Sequence, residues 1–418
     1  MEECVFIDGV RTPNTRGHAE KGWLRNYRPD ELLTAVYKRL FERNPQVAPG
    51  DLDALFVGCA NPSGPQNDIG RLAWLASGFP DHVPTNTLTN QCPSGMAATI
   101  HCARAIMCGE TDIMVAAGVE DMGQVPMGAN MDFPPRLLNY YDGAEIPMGP
   151  TAEKVAEQWH IDREDMENMA EWSHKKAAAA RDAGKFDNEI VALTGVDEQG
   201  NEFTVRTDQG VRTKVDREKM RTMMSPFKPN GVVTAATSSP VSKGACGMLM
   251  MNRKKADELG LSYSYKYSFG VLAGCDPTLM GIGPIKATGR LFEKTGLGPG
   301  DLGAVELNEA FASQSLACIR ELGLDNENAP FEKVNQWGGA LALGHPLGES
   351  GARIVITLLN ILKTERPDEK YGLATLCGGF GNAGALLVEK IERRHVSRPY
   401  VRRIQHGAIQ PVQAAENA

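Results

Sequence analysis

Pro49-Gly50-Asp51-Leu52-Asp53-Ala54-Leu55-Phe56-Val57 returns far downstream as Pro299-Gly300-Asp301-Leu302-Gly303-Ala304-Val305-Glu306-Leu307. In each copy a Pro-Gly-Asp turn signal leads into an apolar, strand-like run. The parallel continues beyond the match. After the first copy, a turn and helix opening at Cys92 lead to an apolar strand over 112–118; after the second, a Gly-rich turn and helix opening at His345 lead to an apolar strand over 371–377. Two fused copies of one α/β unit account for this order. Such halves pack about a pseudo-twofold axis, so the Cys92 and His345 turns are expected to meet at the centre.

The Cys92 turn carries its own signals. A β-prone run over 85–89 ends at Asn90-Gln91-Cys92-Pro93-Ser94-Gly95-Met96, and Met96, Ile100, Ala103, Ile106 and Met107 then share one helical face. Pro93 suits a first helical position, where its missing N–H is no loss. Cys92 is therefore read at a helix N-terminus, where the dipole and free N–H groups favour a thiolate. A buried packing cysteine is the alternative on this stretch alone.

Composition narrows the class. The chain has 418 residues, 42% hydrophobic and 23% charged, with a net charge of −8, ordinary for a globular protein and unlike a nucleic-acid binder. Its nine cysteines are scattered with no C-x-x-C pair, which argues against a disulfide framework or a zinc site and for a reducing compartment. No apolar run approaches the roughly 18–20 residues of a membrane span. The chain enters a strand at Cys4-Val5-Phe6-Ile7, which predicts no leader and a cytoplasmic protein.

Asp30 is expected to cap a helix through Leu32, Val36, Tyr37 and Leu40. Between the copies, 121–248 reads as an inserted domain: a Met-, Pro- and Gly-rich excursion over 120–150, helices from Thr151 and from Asp162, and a charged stretch to Lys228. A strand over 263–273 is expected to return to the core. After Glu389 a basic stretch with Arg393, Arg394, Arg402 and Arg403 predicts a flexible tail, or a docking arm.

Four turns could carry chemistry: that of Cys92, Asn308-Glu309-Ala310-Phe311, Gly344-His345-Pro346 and Cys377-Gly378-Gly379. Singly each has a plain alternative: a cap for Asn308, a loop residue for His345, a packed thiol for Cys377. Together they fall at strand ends or helix starts, where α/β sheets bind ligands. Gly379-Phe380-Gly381-Asn382-Ala383-Gly384 satisfies G-x-G-x-x-G, but a strand-like run follows it where a dinucleotide fingerprint needs a helix.

With these residues assembled, the sequence resembles the thiolase family up to about Ile391. Further matches are Gly118 to Met122, Met148 to Glu153 and Met280 to Pro284. Val119 to Phe133 and Leu343 to Arg353 are most similar to degradative bacterial 3-ketoacyl-CoA thiolases. The resemblance implies a five-layered αβαβα fold of two halves, 1–120 with 249–275 and 276–391, a loop domain over 121–248 and a tail over 392–418. It implies Cys92 as acyl-carrying nucleophile, His345 as its base, Cys377 as the acid and base of carbon–carbon chemistry, and Asn308 with His345 around the enolate oxygen. The N–H groups of Cys92 and Gly379 would form the oxyanion hole. Coenzyme A is implied as co-substrate with no bound cofactor or metal. Ser239, Met148 and Met280 are implied along the pantetheine and thioester, with Arg221 and Lys228 as candidates for the phosphates. A homodimer or tetramer is implied, as is docking on a multifunctional hydratase/dehydrogenase subunit. An acetoacetyl-CoA or β-ketoadipyl-CoA thiolase, or a ketoacyl-synthase-like enzyme, are the alternatives; the second catalytic cysteine speaks against the last. Glu349, Lys243 and Pro93 depart from the family pattern, and Glu349 is expected to change the base or the acyl-chain preference.

Overall fold

The computed structural model describes residues 1–325 and 331–391; the basic tail over 392–418 lies outside the described residues. The repeated turn signal folds alike in both copies. Pro49–Asp51 and Pro299–Asp301 are each one turn of 3-10 helix, and Asp51 and Asp301 each accept the backbone N–H three residues back at 2.8 Å.

From these turns the strands build two matching half-sheets. In the first, Cys4–Arg11, Ser242–Asn252, Ile113–Asp121, Ala54–Gly58 and Thr85–Leu88 lie side by side in that order. In the second the order is Tyr265–Gly274, Asn382–Lys390, Tyr371–Gly378 and Leu302–Leu307. Corresponding neighbours pair in the same sense, antiparallel twice and then parallel. The halves pair edge to edge at Val5 and Lys266. Helices Pro29–Arg43 and Ile69–Ala76 cover the outer face of the first half-sheet, and Gly283–Thr295 that of the second. Helices Ser94–Cys108 and Leu347–Thr364 lie between the half-sheets, against each other. Five layers result. The central position explains why Leu347–Thr364 is buried all round from Leu347 to Leu362, and why Ile113–Asp121 is apolar and buried on both faces for most of its length.

The matching also corrects the expected partition. Tyr265–Gly274, assigned from sequence to the first half, pairs along its length with Asn382–Lys390 and opens the second. The expected break at 248/249 falls inside the strand Ser242–Asn252, which completes the first half. The insertion is therefore the excursion from 122 to 241, placed where the second half has only the tight turn Gly379–Gly381. Periodicity could not reveal this, because Ser242–Asn252 is buried throughout and lacks alternation. The excursion holds helices Met148–Gln158 and Arg163–Asp182, the latter capped by Asp162 as expected, and a hairpin of Leu193–Val196 with Glu202–Val205. Asp30 is not a cap: it lies in the first turn of Pro29–Arg43, and Glu31 accepts the Arg28 N–H at 2.6 Å.

Candidate active site

The two central helices cross at their N-terminal ends through glycine. A methyl group on Gly95 would lie 2.7 Å from the Gly348 carbonyl oxygen, and one on Gly351 would lie 2.5 Å from the Met96 nitrogen. Because Gly95 is the second residue of its helix and Gly351 the fifth of its own, this contact brings the Cys92 and His345 turns close together. The third turn closes on them from the second half-sheet: a methyl group on Gly378 would meet Pro93 Cδ at 2.4 Å.

Cys92 precedes helix Ser94–Cys108 in a turn held by Ser94, whose hydroxyl donates to the Gln91 carbonyl at 2.5 Å and accepts the Asn90 N–H at 2.8 Å. Pro93 lies just ahead of the helix, and its carbonyl accepts the Ala97 N–H at 2.8 Å. Gln91 takes φ 55° and Phe380 in the facing loop φ 62°, left-handed values that cost a side-chain residue about 1–3 kcal/mol. Both strained residues adjoin the reacting loops. The Cys92 sulfur faces the N–H groups of Gly379 and of Cys92 itself, which pull its pKa down, but burial is the larger effect and pushes it up to about 12. Cys92 thus has at the helix terminus the oriented donors that favour a thiolate, while burial holds it toward the thiol. Cys377, at the end of its strand, is fully buried, and burial together with the nearby Cys92 holds its pKa well above the ordinary range.

His345 follows Gly344, whose φ of 95° allows the chain to turn out of the short helix Ala340–Leu343. Its Nδ1 is 2.6 Å from the Ser350 hydroxyl, which donates onward to the Pro346 carbonyl at 2.8 Å. Since that hydroxyl proton is committed to Pro346, Nδ1 carries the ring proton and Nε2 keeps its lone pair. Burial, with Arg353 adding repulsion, lowers the His345 pKa to about 3, so the ring is a neutral base. Asn308 Nδ2 lies 3.4 Å from Nε2, and Asn308 Oδ1 is buried without a partner.

Two buried carboxylates support these turns, and neither was singled out from sequence. Glu120 accepts the N–H groups of Ala60 at 2.7 Å and Gly348 at 2.9 Å and the Gln66 amide at 2.8 Å, fastening the start of the His345 helix to the first half. Glu309 lies beside Asn308. Their partners are distant in sequence, and only the buried Glu in Gly118-Val119-Glu120 could have hinted at such a role.

Beside His345 a cleft opens, lined by Asn14, Arg16, His174, Arg212, Ser238 and Gly344 among others. Both side-chain polar atoms of Asn14 are buried there without partners. Ser239 lies at its margin, donating its N–H to the Ala310 carbonyl at 3.0 Å. Arg221, next to Met220 of the cleft lining, pairs with Glu218 at 2.9 Å on the surface, and Lys228 pairs with Glu157 at 3.5 Å and lines another depression. Arg16 and Arg212 line the cleft. Met148 opens helix Met148–Gln158 and packs against the same core as Met280, which is buried. Lys243 is also buried, paired with Asp121 at 2.8 Å.

Residues 4–254 match the thiolase N-terminal domain and residues 264–390 the thiolase C-terminal domain. The chain belongs to the thiolase family, and its class is acyltransferase. Among its relatives are proteins named 3-ketoacyl-CoA thiolase. That of Marinomonas sp. is 41% identical over 93% of this chain and 98% of its own length, and that of Erwinia tasmaniensis is 42% identical over 94% and 100%. Of solved structures, the Bacillus anthracis acetyl-CoA acetyltransferase matches with a TM-score of 0.83 and 34% identity over 94% of this chain and 99% of its own. Human mitochondrial 3-ketoacyl-CoA thiolase matches with 0.82 and 29% identity over 93% and 99%. The second domain match opens at 264, where the strand Tyr265–Gly274 begins the second half. Among the described residues no helix is long and apolar enough to cross a membrane.

Proposed function

We propose that this protein cleaves 3-ketoacyl-CoA with coenzyme A into acetyl-CoA and a shortened acyl-CoA, as a step of fatty-acid β-oxidation. The observation that carries this reading is the nearness of two thiols from the two halves, Cys92 lying close enough to raise the Cys377 pKa, where the Cys92 helix crosses the helix that follows the neutral imidazole of His345. A ketoacyl-synthase-like site would need only one of them.

Nε2 of His345 takes the Cys92 proton as sulfur attacks the keto carbon, and the N–H groups of Cys92 and Gly379 stabilise the developing oxyanion. Carbon–carbon cleavage leaves the acyl group on Cys92 and an enolate, whose oxygen is met by Asn308 and His345. Cys377 protonates the enolate carbon, giving acetyl-CoA. The Cys377 thiolate then deprotonates incoming coenzyme A, whose sulfur takes the acyl group from Cys92. The expelled Cys92 thiolate regains its proton from His345, and the cycle closes. Burial suits this order: neither thiol is ionised at rest, so charge appears only as substrate fills the pocket. Coenzyme A enters through the cleft beside Gly344, its phosphates toward Arg16 and Arg212.

The test uses both thiols. Cys92→Ser should abolish acyl-enzyme formation; Cys377→Ala should leave Cys92 open to acylation by acyl-CoA while stopping thiolysis by at least ~10³-fold. Thiolysis surviving in both variants would overturn the reading. A chain-length series of 3-ketoacyl-CoAs separates it from acetoacetyl-CoA and β-ketoadipyl-CoA thiolysis. Self-association goes with this reading, supported by the open sheet edge at Thr85–Leu88 and the exposed Leu72 and Leu75 on the adjacent helix Ile69–Ala76. A cytoplasmic location and docking on a multifunctional hydratase/dehydrogenase subunit are part of the same proposal.

A further inference from the structure

Glu309 is fully buried, yet each of its oxygens is claimed by a different part of the chain. Oε2 accepts the Ser173 hydroxyl at 2.7 Å and the Leu341 N–H at 3.1 Å, while Oε1 accepts the Asn335 amide at 2.8 Å. Each of these partners leads to a reacting group. Asn335, with φ 45°, also pairs its side chain with both the N–H and the carbonyl of Leu307 at 2.8 Å, completing the strand edge just before Asn308. Leu341 lies in helix Ala340–Leu343, which ends at Gly344 and hands the chain to His345. Ser173 lies in helix Arg163–Asp182 of the insertion and also accepts the Gly339 N–H at 3.1 Å. Gly339 is needed for this approach, since a methyl group there would lie 2.1 Å from the Glu309 carboxyl carbon.

Asn308 and His345 therefore come from separate segments that this carboxylate anchors in common. Between themselves they have long contacts, 3.4 and 3.5 Å from the Asn308 amide to the two ring nitrogens, too long to fix either one. From this we infer that Glu309 is a positioning residue for the carbon–carbon step: it sets the distance between the Asn308 amide and the His345 ring, and so the geometry that receives the enolate oxygen. It touches no reacting atom. The inference rests on the thiolytic reading above.

Glu309→Gln preserves shape but turns one oxygen into a donor, which must then face a donor: the Leu341 N–H and Ser173 on one side, or the Asn335 amide on the other. The expected result is a 10–100-fold loss in kcat for thiolysis, with KM for coenzyme A changed less than threefold and acylation of Cys92 by acyl-CoA retained. The deciding measurement is a double-mutant cycle with Asn308→Ala. If Glu309 acts by placing Asn308, adding Glu309→Gln to Asn308→Ala should cost less than a third of its effect, in log units, on the native background. Full additivity, or an unchanged kcat in Glu309→Gln, would overturn the inference. Should Glu309→Gln fail to fold, Ser173→Ala loosens the same carboxylate from the insertion side and should give a smaller loss with the same non-additivity. Failure of the thiolytic reading would show separately, as no thiolysis by the native protein.

Discussion

Glu349, four residues beyond His345, is fully buried, and neither of its oxygens has a hydrogen-bond partner. Burial raises its pKa to about 8; Arg353 and Arg11 pull it down, and Asp208 and Glu189 push it up. In the unfolded chain a glutamate titrates near ~4.3. The folded state therefore binds a proton that the unfolded state has released between those values, so the contribution of Glu349 is favourable below about pH 4.5 and is lost as pH rises toward about 8. Glu349→Gln mimics the protonated acid and removes this loss. It should be stabilised by roughly 1–3 kcal/mol over the native protein at pH 8 and be nearly equal to it at pH 5. Thermal unfolding from pH 5 to pH 9 checks this; parallel profiles for the two proteins would place the ionisation elsewhere. Ser350 permits a second prediction at the same scale. Ser350→Ala leaves the His345 ring without the partner that selects its tautomer, so Cys92 acylation should slow by about 10–100-fold while stability changes by less than ~2 kcal/mol. Burst kinetics with an acyl-CoA would measure the first and thermal unfolding the second.

The crossing of the two central helices transmits sequence into catalysis. Their N-terminal ends meet because Gly95, Gly348 and Gly351 let backbone approach backbone, so Gly351→Ala must push helix Leu347–Thr364 away from Met96. Overpacking of this kind costs about 1–3 kcal/mol. Activity should fall further than stability implies, since the displacement separates the Cys92 turn from the His345 turn; kcat measured well below the unfolding temperature checks it. Much of this arrangement was legible in advance. The Pro-Gly-Asp turns are local signals, and their repetition located two copies of a unit and four turns at their ends. What could not be read were contacts between distant segments: Glu120 holding Gly348, and Glu309 holding Asn335 and Leu341. The strand Ser242–Asn252 escaped for a related reason, since a strand buried on both faces lacks the alternation that marks a boundary.

Across the whole molecule, the insertion is joined to both halves by a buried ionic network. Arg11, on the first strand and fully buried, binds Asp208 through two bonds of 2.7 and 2.8 Å and Glu189 at 2.7 Å. Glu189 in turn accepts the Asn360 amide at 2.8 Å and the Thr357 hydroxyl at 3.2 Å, both on the central helix of the second half. Asp208 accepts the Asn14 N–H at 2.7 Å, and Asn14 lines the cleft beside His345. The arrangement fixes three parts of the chain at once, and its loss should be felt in all three. Arg11→Met leaves two carboxylates buried without their cation, a change that costs about 3–5 kcal/mol. Replacing Arg11, Asp208 and Glu189 together by Met, Leu and Gln removes the stranded charges and should recover at least half of that loss. Binding should not recover with it, because Asn14 loses the acceptor that orients it. The triple variant is thus expected to unfold near the native temperature while its KM for coenzyme A stays raised by about fivefold or more. Unfolding curves and initial rates on the same preparations decide this: a KM restored together with stability would reduce the network to packing.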